Sequence, residues 1–241
     1  MYTFHACRIP SRNTTLPEYL NFLNEGLITE IVISDENGED VRQLKEFERP
    51  NVRFYINDTL LGPFRNKLKV CRYATGNWIC LMDSDNVAPR QYFEAAHEAL
   101  KAVSSSPYAV LSPAMALPRF DFRSLEGIIT LHDLPRVVDQ HDVLLNTGNY
   151  ILSAQIFRDW GARVTPEEEQ ADVDAYDVLY FNYLLFAHFN VHFQVVASMY
   201  YYHTYSEDGV WCTLSGIPKY QKLYIDLKAA YKSLSTQYPG S

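Results

Sequence analysis

Two aspartates one residue apart close an apolar run in Trp78-Ile79-Cys80-Leu81-Met82-Asp83-Ser84-Asp85-Asn86. Carboxylates in this spacing are hard oxygen ligands suited to Mn²⁺ or Mg²⁺, and a cation held there could neutralise a diphosphate and act on it as a Lewis acid. The same residues also suit a helix start, because Asp is a favoured N-cap and Pro89 a favoured first-turn residue. His203, after the run Tyr200-Tyr201-Tyr202, offers a neutral imidazole that could complete a divalent-metal site or touch a diphosphate. Arg65 could grip phosphate through two parallel hydrogen bonds, with Lys67 and Lys69 adding point charge. Arg65 and Lys69 are also four apart, as on a solvated helix face. A second acidic pair, Asp172 and Asp174, stands ahead of a long apolar segment and behind Glu167-Glu168-Glu169, where either residue could cap the helix. Trp211 and some of the 18 tyrosines present faces on which a sugar ring can stack.

These groups need a scaffold, and the first third of the chain supplies a regular one. Tyr2 to Ile9, Glu30 to Ser34, Val52 to Ile56 and Trp78 to Met82 read as strands. Leu16 to Asn24, Val41 to Glu48, Arg65 to Ala74 and Gln91 to Val103 read as helices between or after them. This alternation predicts an α/β fold with a mostly parallel sheet flanked by helices, and ligands in such sheets bind beyond the carboxyl ends of the strands. Asp83 and Asp85 are delivered to that edge, on one side of the strand if the extended geometry persists. After the Ser104-Ser105-Ser106-Pro107 cluster the rhythm changes. Ala109 to Ser112, Val143 to Leu152 and Val191 to Tyr202 read as strands, and Asp172 to Phe186 and Lys219 to Leu234 as helices, so the second half is expected to be mixed α+β. We expect one domain over 1–241, with a ligand-binding half over 1–103 and a second half over 104–241.

Composition narrows the function. The 241 residues are 47% hydrophobic and 21% charged, which is the make-up of a folded chain. A net charge of −8 argues against nucleic acid as a partner, since phosphate-backbone affinity comes from clustered Lys and Arg. Cys7, Cys71, Cys80 and Cys212 are scattered singly, without zinc-knuckle or redox spacing, and read as reduced thiols. No apolar run reaches the ~20 residues needed to span a bilayer and no secretory leader pattern opens the chain, so a soluble cytoplasmic protein is expected.

Several segments, taken in order, resemble the GT-A glycosyltransferases, especially family-2-like members. Ile9-Pro10-Ser11-Arg12-Asn13 is similar to the family's first-strand turn, and Ile31-Val32-Ile33-Ser34-Asp35-Glu36 to its second strand, which ends in an acid near the nucleotide base. Arg65-Asn66 followed by Ala74-Thr75-Gly76 resembles the helix before the D-x-D strand, and Met82-Asp83-Ser84-Asp85-Asn86 resembles the D-x-D motif itself. Asn146-Thr147-Gly148-Asn149-Tyr150 resembles the strand lining the sugar pocket, Asp172-Val173-Asp174 the acidic acceptor-side motif, and His203 with Ser206 the late H-x-x-S segment. Ala171, Asn86 and Gly62-Pro63-Phe64 depart from the family pattern.

The resemblance implies a metal-dependent transferase that moves a sugar from a nucleotide-diphosphate donor, UDP-linked by preference, to a hydroxyl on a glycan, a lipid-linked sugar or another carrier. It implies Asp83, Asp85 and His203 as ligands of Mn²⁺ or Mg²⁺. It implies Pro10, Arg12, Asn13, Asp35, Arg65, Lys69, Asp83, Ser84, Asn149 and Trp211 as donor contacts. Asp172 or Asp174 would take the acceptor proton in an inverting reaction. Two other readings are carried: a sugar-1-phosphate nucleotidyltransferase, against which Met1 to Thr15 contain no glycine, and a catalytically silent carbohydrate-binding protein of the same fold.

Overall fold

Side chains that alternate along the strands sort into two apolar layers, one on each face of a single sheet. A computed structural model describes residues 2–7, 16–36, 38–83, 85–103, 106–204 and 210–237. Its strands are β1 (Tyr2–Cys7), β2 (Glu30–Asp35), β3 (Val52–Ile56), β4 (Trp78–Cys80), β5 (Ala109–Leu117), β6 (Phe120–Asp121), β7 (Gly127–Ile129), β8 (Ile151–Ser153) and β9 (His192–Tyr202). They lie in the order β3-β2-β1-β4-β8-β5-β9-β7, with β6 paired to β5. β1 to β4 are mutually parallel and β5 is parallel to β9, whereas β8 runs antiparallel between β4 and β5. The expected α/β sheet is present and is parallel through β1 to β4, but among the described residues four of its eight strand pairings are antiparallel, so the sheet as a whole is mixed.

The helices are α1 (Leu16–Asn24), α2 (Glu39–Leu44), α3 (Pro63–Tyr73), α4 (Arg90–Val103), α5 (Leu134–Gln140), α6 (Asp142–Leu145), α7 (Gln155–Arg163), α8 (Pro166–Glu169), α9 (Asp177–Phe189), α10 (Val210–Leu214) and α11 (Pro218–Gln237). In the segment through β4, Ile79 and Leu81 pack with α3, α7, α9 and α11, while Cys80 and Met82 pack with α1 and α4 on the other face. This is the period-2 alternation of a strand covered on both sides. α9 is apolar around its circumference, with Val178, Leu179, Phe181, Leu184, Leu185, Phe186 and Phe189 all buried, as a helix enclosed by its neighbours must be. Among the described residues no helix is long and apolar enough to cross a membrane.

The sequence expectation fails at Val143 to Leu152. Instead of one strand, residues 142–145 form α6, Asn146 to Asn149 form a loop, and only Ile151–Ser153 pair in the sheet. Gly148 explains the loop: a Cβ there would lie 2.9 Å from Cγ2 of Val178, so only glycine lets the chain pass against α9. The segment expected as a helix from Asp172 is also divided. A 3₁₀ turn covers Asp174–Tyr176 and the α-helix starts at Asp177. β5 is longer than expected because it continues through an irregularity between Pro113 and Met115, where proline cannot donate to the ladder.

Candidate active site

The carboxyl ends of β2, β3 and β4 open on one edge of the sheet, and the polar residues there are tied together. At the end of β2, buried Asp35 accepts the Val41 N–H through Oδ2 at 3.0 Å, fixing the first turn of α2. Its neighbour Ser34 donates to Asn66 Oδ1 at 2.6 Å, and Asn57 Nδ2 donates to the same oxygen at 2.9 Å. All three are buried, so this triad locks the ends of β2 and β3 to α3. Glu30 does the same at the other end: it accepts from the Thr75 N–H at 2.9 Å and pairs with Arg53, holding the Ala74-Thr75-Gly76 turn that launches β4.

Asp83 follows Ile79 and Leu81 on the α3 side of the sheet. There its Oδ1 meets the Lys67 ammonium at 2.8 Å, and the same ammonium reaches Oδ2 of Asp177 at 2.8 Å. The Lys67 side chain is 8% exposed, against 26% for Asp83 and 14% for Asp177. Burial raises the Asp177 carboxyl above the ordinary carboxylate range, against the pull of Lys67. Asn149 clasps Asp83 from the other side, its Oδ1 accepting the Asp83 N–H at 2.8 Å and its Nδ2 standing 3.5 Å from the carboxylate. Asn149 is itself held by Tyr92, whose hydroxyl donates to its carbonyl at 3.0 Å.

His203 is brought to this edge by a long-range pairing. Val87 and Tyr202 exchange backbone hydrogen bonds at 3.0 and 2.8 Å, and Asn86 accepts the Thr204 N–H through Oδ1 at 3.0 Å. The imidazole lies against Phe120 and Tyr201, and its Nδ1 is buried without a hydrogen-bond partner. Burial lowers its pKa although the charge of Asp83 opposes the shift, so the ring is neutral at pH 7 and can offer a lone pair. Asp83 and Asp85 also both act electrostatically on buried Tyr201, whose pKa is raised mainly by burial.

A neutral imidazole nitrogen with an unmet partner, together with carboxylates such as Asp83 and Asp85, is a set of donor types that suits Mn²⁺ or Mg²⁺. Among the described residues, no three His, Cys, Asp or Glu side chains converge closely enough to form a preassembled metal cage. Asp83 is instead neutralised by Lys67.

The acceptor-side acids are separated by their surroundings. Asp172 is exposed, pairs with Lys219, and accepts the Tyr220 hydroxyl at 2.9 Å; these contacts hold its carboxyl below the usual range. Asp174 is half-buried, and burial, followed by the charge of Asp172, raises its carboxyl above that range. It lies against Gly62, which has φ 79° and opens α3; a Cβ at Gly62 would stand 2.6 Å from Asp174 Oδ1. Only glycine gives both that backbone conformation and that close approach.

Arg65 donates through Nε to the Leu61 carbonyl at 2.5 Å and through Nη1 to Gln170 at 3.0 Å, and it acts electrostatically on both Asp172 and Asp174. Lys69 lies over the Tyr73 ring, 5.9 Å from its centroid. Trp211, 51% exposed, is on α10, which packs against the Asp174–Tyr176 turn. Pro10, Arg12, Asn13, Ser84 and Ser206 lie outside the described residues.

The structure thus brings together Asp83, Asn149 and His203 from three distant segments. It also adds Asp177, which the sequence does not mark, and gives Lys67, read from the sequence only as point charge for a phosphate, carboxylate partners in Asp83 and Asp177. Lys67 had a signal: it is three residues from Phe64 and four from Cys71 on the apolar face of α3, where an unpaired ammonium has no place.

Residues 9–111 match the model of glycosyl transferase family 2. No curated protein matches the chain. Among solved structures, S. aureus TarS 1-349 in complex with UDP-GlcNAc is 17% identical with a TM-score of 0.65, the match covering 98% of this chain and 69% of that one. The same protein in complex with UDP is 16% identical with a TM-score of 0.63, covering 98% and 68%. S. aureus TarS, in a longer structure, is 16% identical with a TM-score of 0.55, covering 86% of this chain and 37% of that one. Residues 9–111 thus carry the sequence pattern of glycosyl transferase family 2, and nearly the whole chain has the GT-A fold of these structures.

Proposed function

We propose that this protein moves a sugar from a nucleotide-diphosphate donor, UDP-linked by preference, to a hydroxyl on a glycan, a lipid-linked sugar or another carrier. The observation that carries the reading is Asp83, held by Asn149 and Lys67 at the carboxyl edge of β4, with its charge acting on His203, whose buried Nδ1 has no hydrogen-bond partner. That edge is where α/β sheets bind nucleotides. The UDP and UDP-GlcNAc complexes of TarS, which has the same fold, favour a uridine nucleotide.

In this reading Asp83, Asp85 and His203 would hold Mn²⁺ or Mg²⁺, which when bound supplies positive charge to the leaving diphosphate. The donor would lie across the ends of β2 and β4, with Asp35 beside the base and with Pro10, Arg12, Asn13, Ser84 and Lys69 as further contacts. Asp174 is the better base of the acidic pair. Its raised pKa makes it the stronger proton acceptor at neutral pH, whereas Asp172 is committed to Lys219 and Tyr220. As the acceptor oxygen attacks the anomeric carbon, its proton passes to Asp174, and the bond to the nucleoside diphosphate breaks. Trp211 would then stack on the acceptor. Buried free thiols at Cys71 and Cys80 are in keeping with a cytoplasmic enzyme.

The test is release of free UDP from a panel of UDP-sugars with Mn²⁺, with and without added glycan acceptors. The reading predicts UDP release from at least one sugar nucleotide and its loss in Asp85→Ala. No release from any donor, with glycan binding that survives in Asp85→Ala, would make the chain a carbohydrate-binding protein instead.

A further inference from the structure

A lysine on the apolar face of a helix is an expensive side chain to bury, and Lys67 is placed to repay the cost. Its ammonium lies 2.8 Å from one carboxylate oxygen of Asp83 and 2.8 Å from one of Asp177. The three groups come from three elements, α3, the end of the β4 segment and the first turn of α9, and all are largely shielded from water. In a low-dielectric site two carboxylates held this close need a cation between them. The same Asp83 is the first acid of the D-x-D pair, so that cation stands where the donor's diphosphate is expected.

We propose that the Lys67 ammonium is the resident cation of the donor site, neutralising Asp83 before a donor arrives and giving it up when a divalent cation binds. This inference rests on the donor-site reading above. Asp177 is then a positioning residue, the carboxylate onto which Lys67 retreats when Asp83 turns to a metal. Removing Lys67 and removing Asp177 should have opposite effects on cation binding. Without Lys67 the two carboxylates lose their counter-charge and bind a divalent cation more tightly. Without Asp177 the retreating ammonium has lost this acceptor, so Asp83 holds it more firmly and a divalent cation binds less tightly.

The experiment is a melting-temperature titration of wild type, Lys67→Met, Lys67→Arg and Asp177→Asn with Mn²⁺ alone, with UDP alone and with both. Lys67→Met should melt lower than wild type in chelator and be rescued by Mn²⁺, with half-saturation at about tenfold lower Mn²⁺ or less. Asp177→Asn should need more Mn²⁺ than wild type, and Lys67→Arg, which keeps the charge, should stay near it. If Lys67→Met proves too unstable to purify, the rise in half-saturating Mn²⁺ in Asp177→Asn decides alone. Equal Mn²⁺ response in all four proteins would overturn the resident cation and leave the metal reading intact. If Mn²⁺ stabilises none of them, but UDP alone stabilises wild type and not Lys67→Met, Lys67 remains the cation of the donor site, while its exchange for a metal is overturned together with the metal reading. UDP stabilising both equally, with no Mn²⁺ effect, would overturn both.

Discussion

The chain contains two lysine–carboxylate arrangements near its site, and they differ in almost everything but chemistry. Lys67 with Asp83 and Asp177 is enclosed between the sheet and α9, with the lysine 8% exposed. Lys219 with Asp172 is on the surface at the start of α11, 54% and 61% exposed. Water screens the second pair and its side chains lose entropy to meet, so it contributes little to stability. In the first, each charge depends on the others, because none can recover its hydration where it stands. Asp172 thus ties the start of α11 to the residues before α9, whereas Lys67 and Asp177, which belong to no motif, share the charge of Asp83. The pair Asp172 and Asp174 makes the same point over two residues. One carboxylate is pulled down by a lysine and a tyrosine, and the other is pushed up by burial, so two acids two residues apart are shifted in opposite directions.

Breaking the buried arrangement should have the largest effect. Lys67→Met should cost about 3–5 kcal/mol of unfolding free energy in chelator, since it leaves two carboxylates without their counter-charge; chemical denaturation measures it. Asp174→Asn should reduce transfer at least about a hundredfold with donor binding unchanged, the cost of losing a general base. Its pH behaviour follows from the direction of the shift. Asp174 must be ionised to act, so the wild-type rate should fall as pH drops through its raised pKa, above the ordinary carboxylate range. Because the folded state disfavours the ionised form, Asp174→Asn should not lower stability at pH 7, and a steep loss of melting temperature would contradict the assignment. Asp172→Asn should have the smallest effect. Its depressed pKa means the pair stabilises above the unfolded value of 3.8 and is lost as pH falls through the folded value. The cost at pH 7 should be under about 1 kcal/mol, with transfer within a few-fold of wild type. A hundredfold loss there would make Asp172 the base.

Much of this architecture was legible in the sequence, because β-branched runs at Glu30 to Asp35 and Val52 to Ile56 and the apolar run into Asp83 have one periodicity each. The strand that runs into Asp83 and its place in the parallel part of the sheet followed directly. The Asn146–Asn149 loop was not legible, since its cause is the close approach of Gly148 to Val178, a contact across 30 residues of sequence. The neighbourhood of His203 depends on Val87 pairing with Tyr202, which no local pattern announces. Lys67 was legible as a positive charge beside Arg65, but its two carboxylate partners were not, because they come from the β4 segment and α9; Arg65 itself bonds Leu61 and Gln170. Asp177 resembled any helix-opening aspartate until α9 was packed against α3.

The most direct test of the donor site is a thermal-shift panel of UDP, GDP, CMP and ADP, each with and without Mn²⁺. A ligand that binds only the folded state stabilises it by about 2.7 kcal/mol at a hundred times its dissociation constant, a readily measured rise in melting temperature. The account predicts a rise with UDP that is largest when Mn²⁺ is present and is lost in Asp85→Ala. No rise with any nucleotide, in either condition, would contradict it and return Asp83 and Asp85 to the role of helix caps.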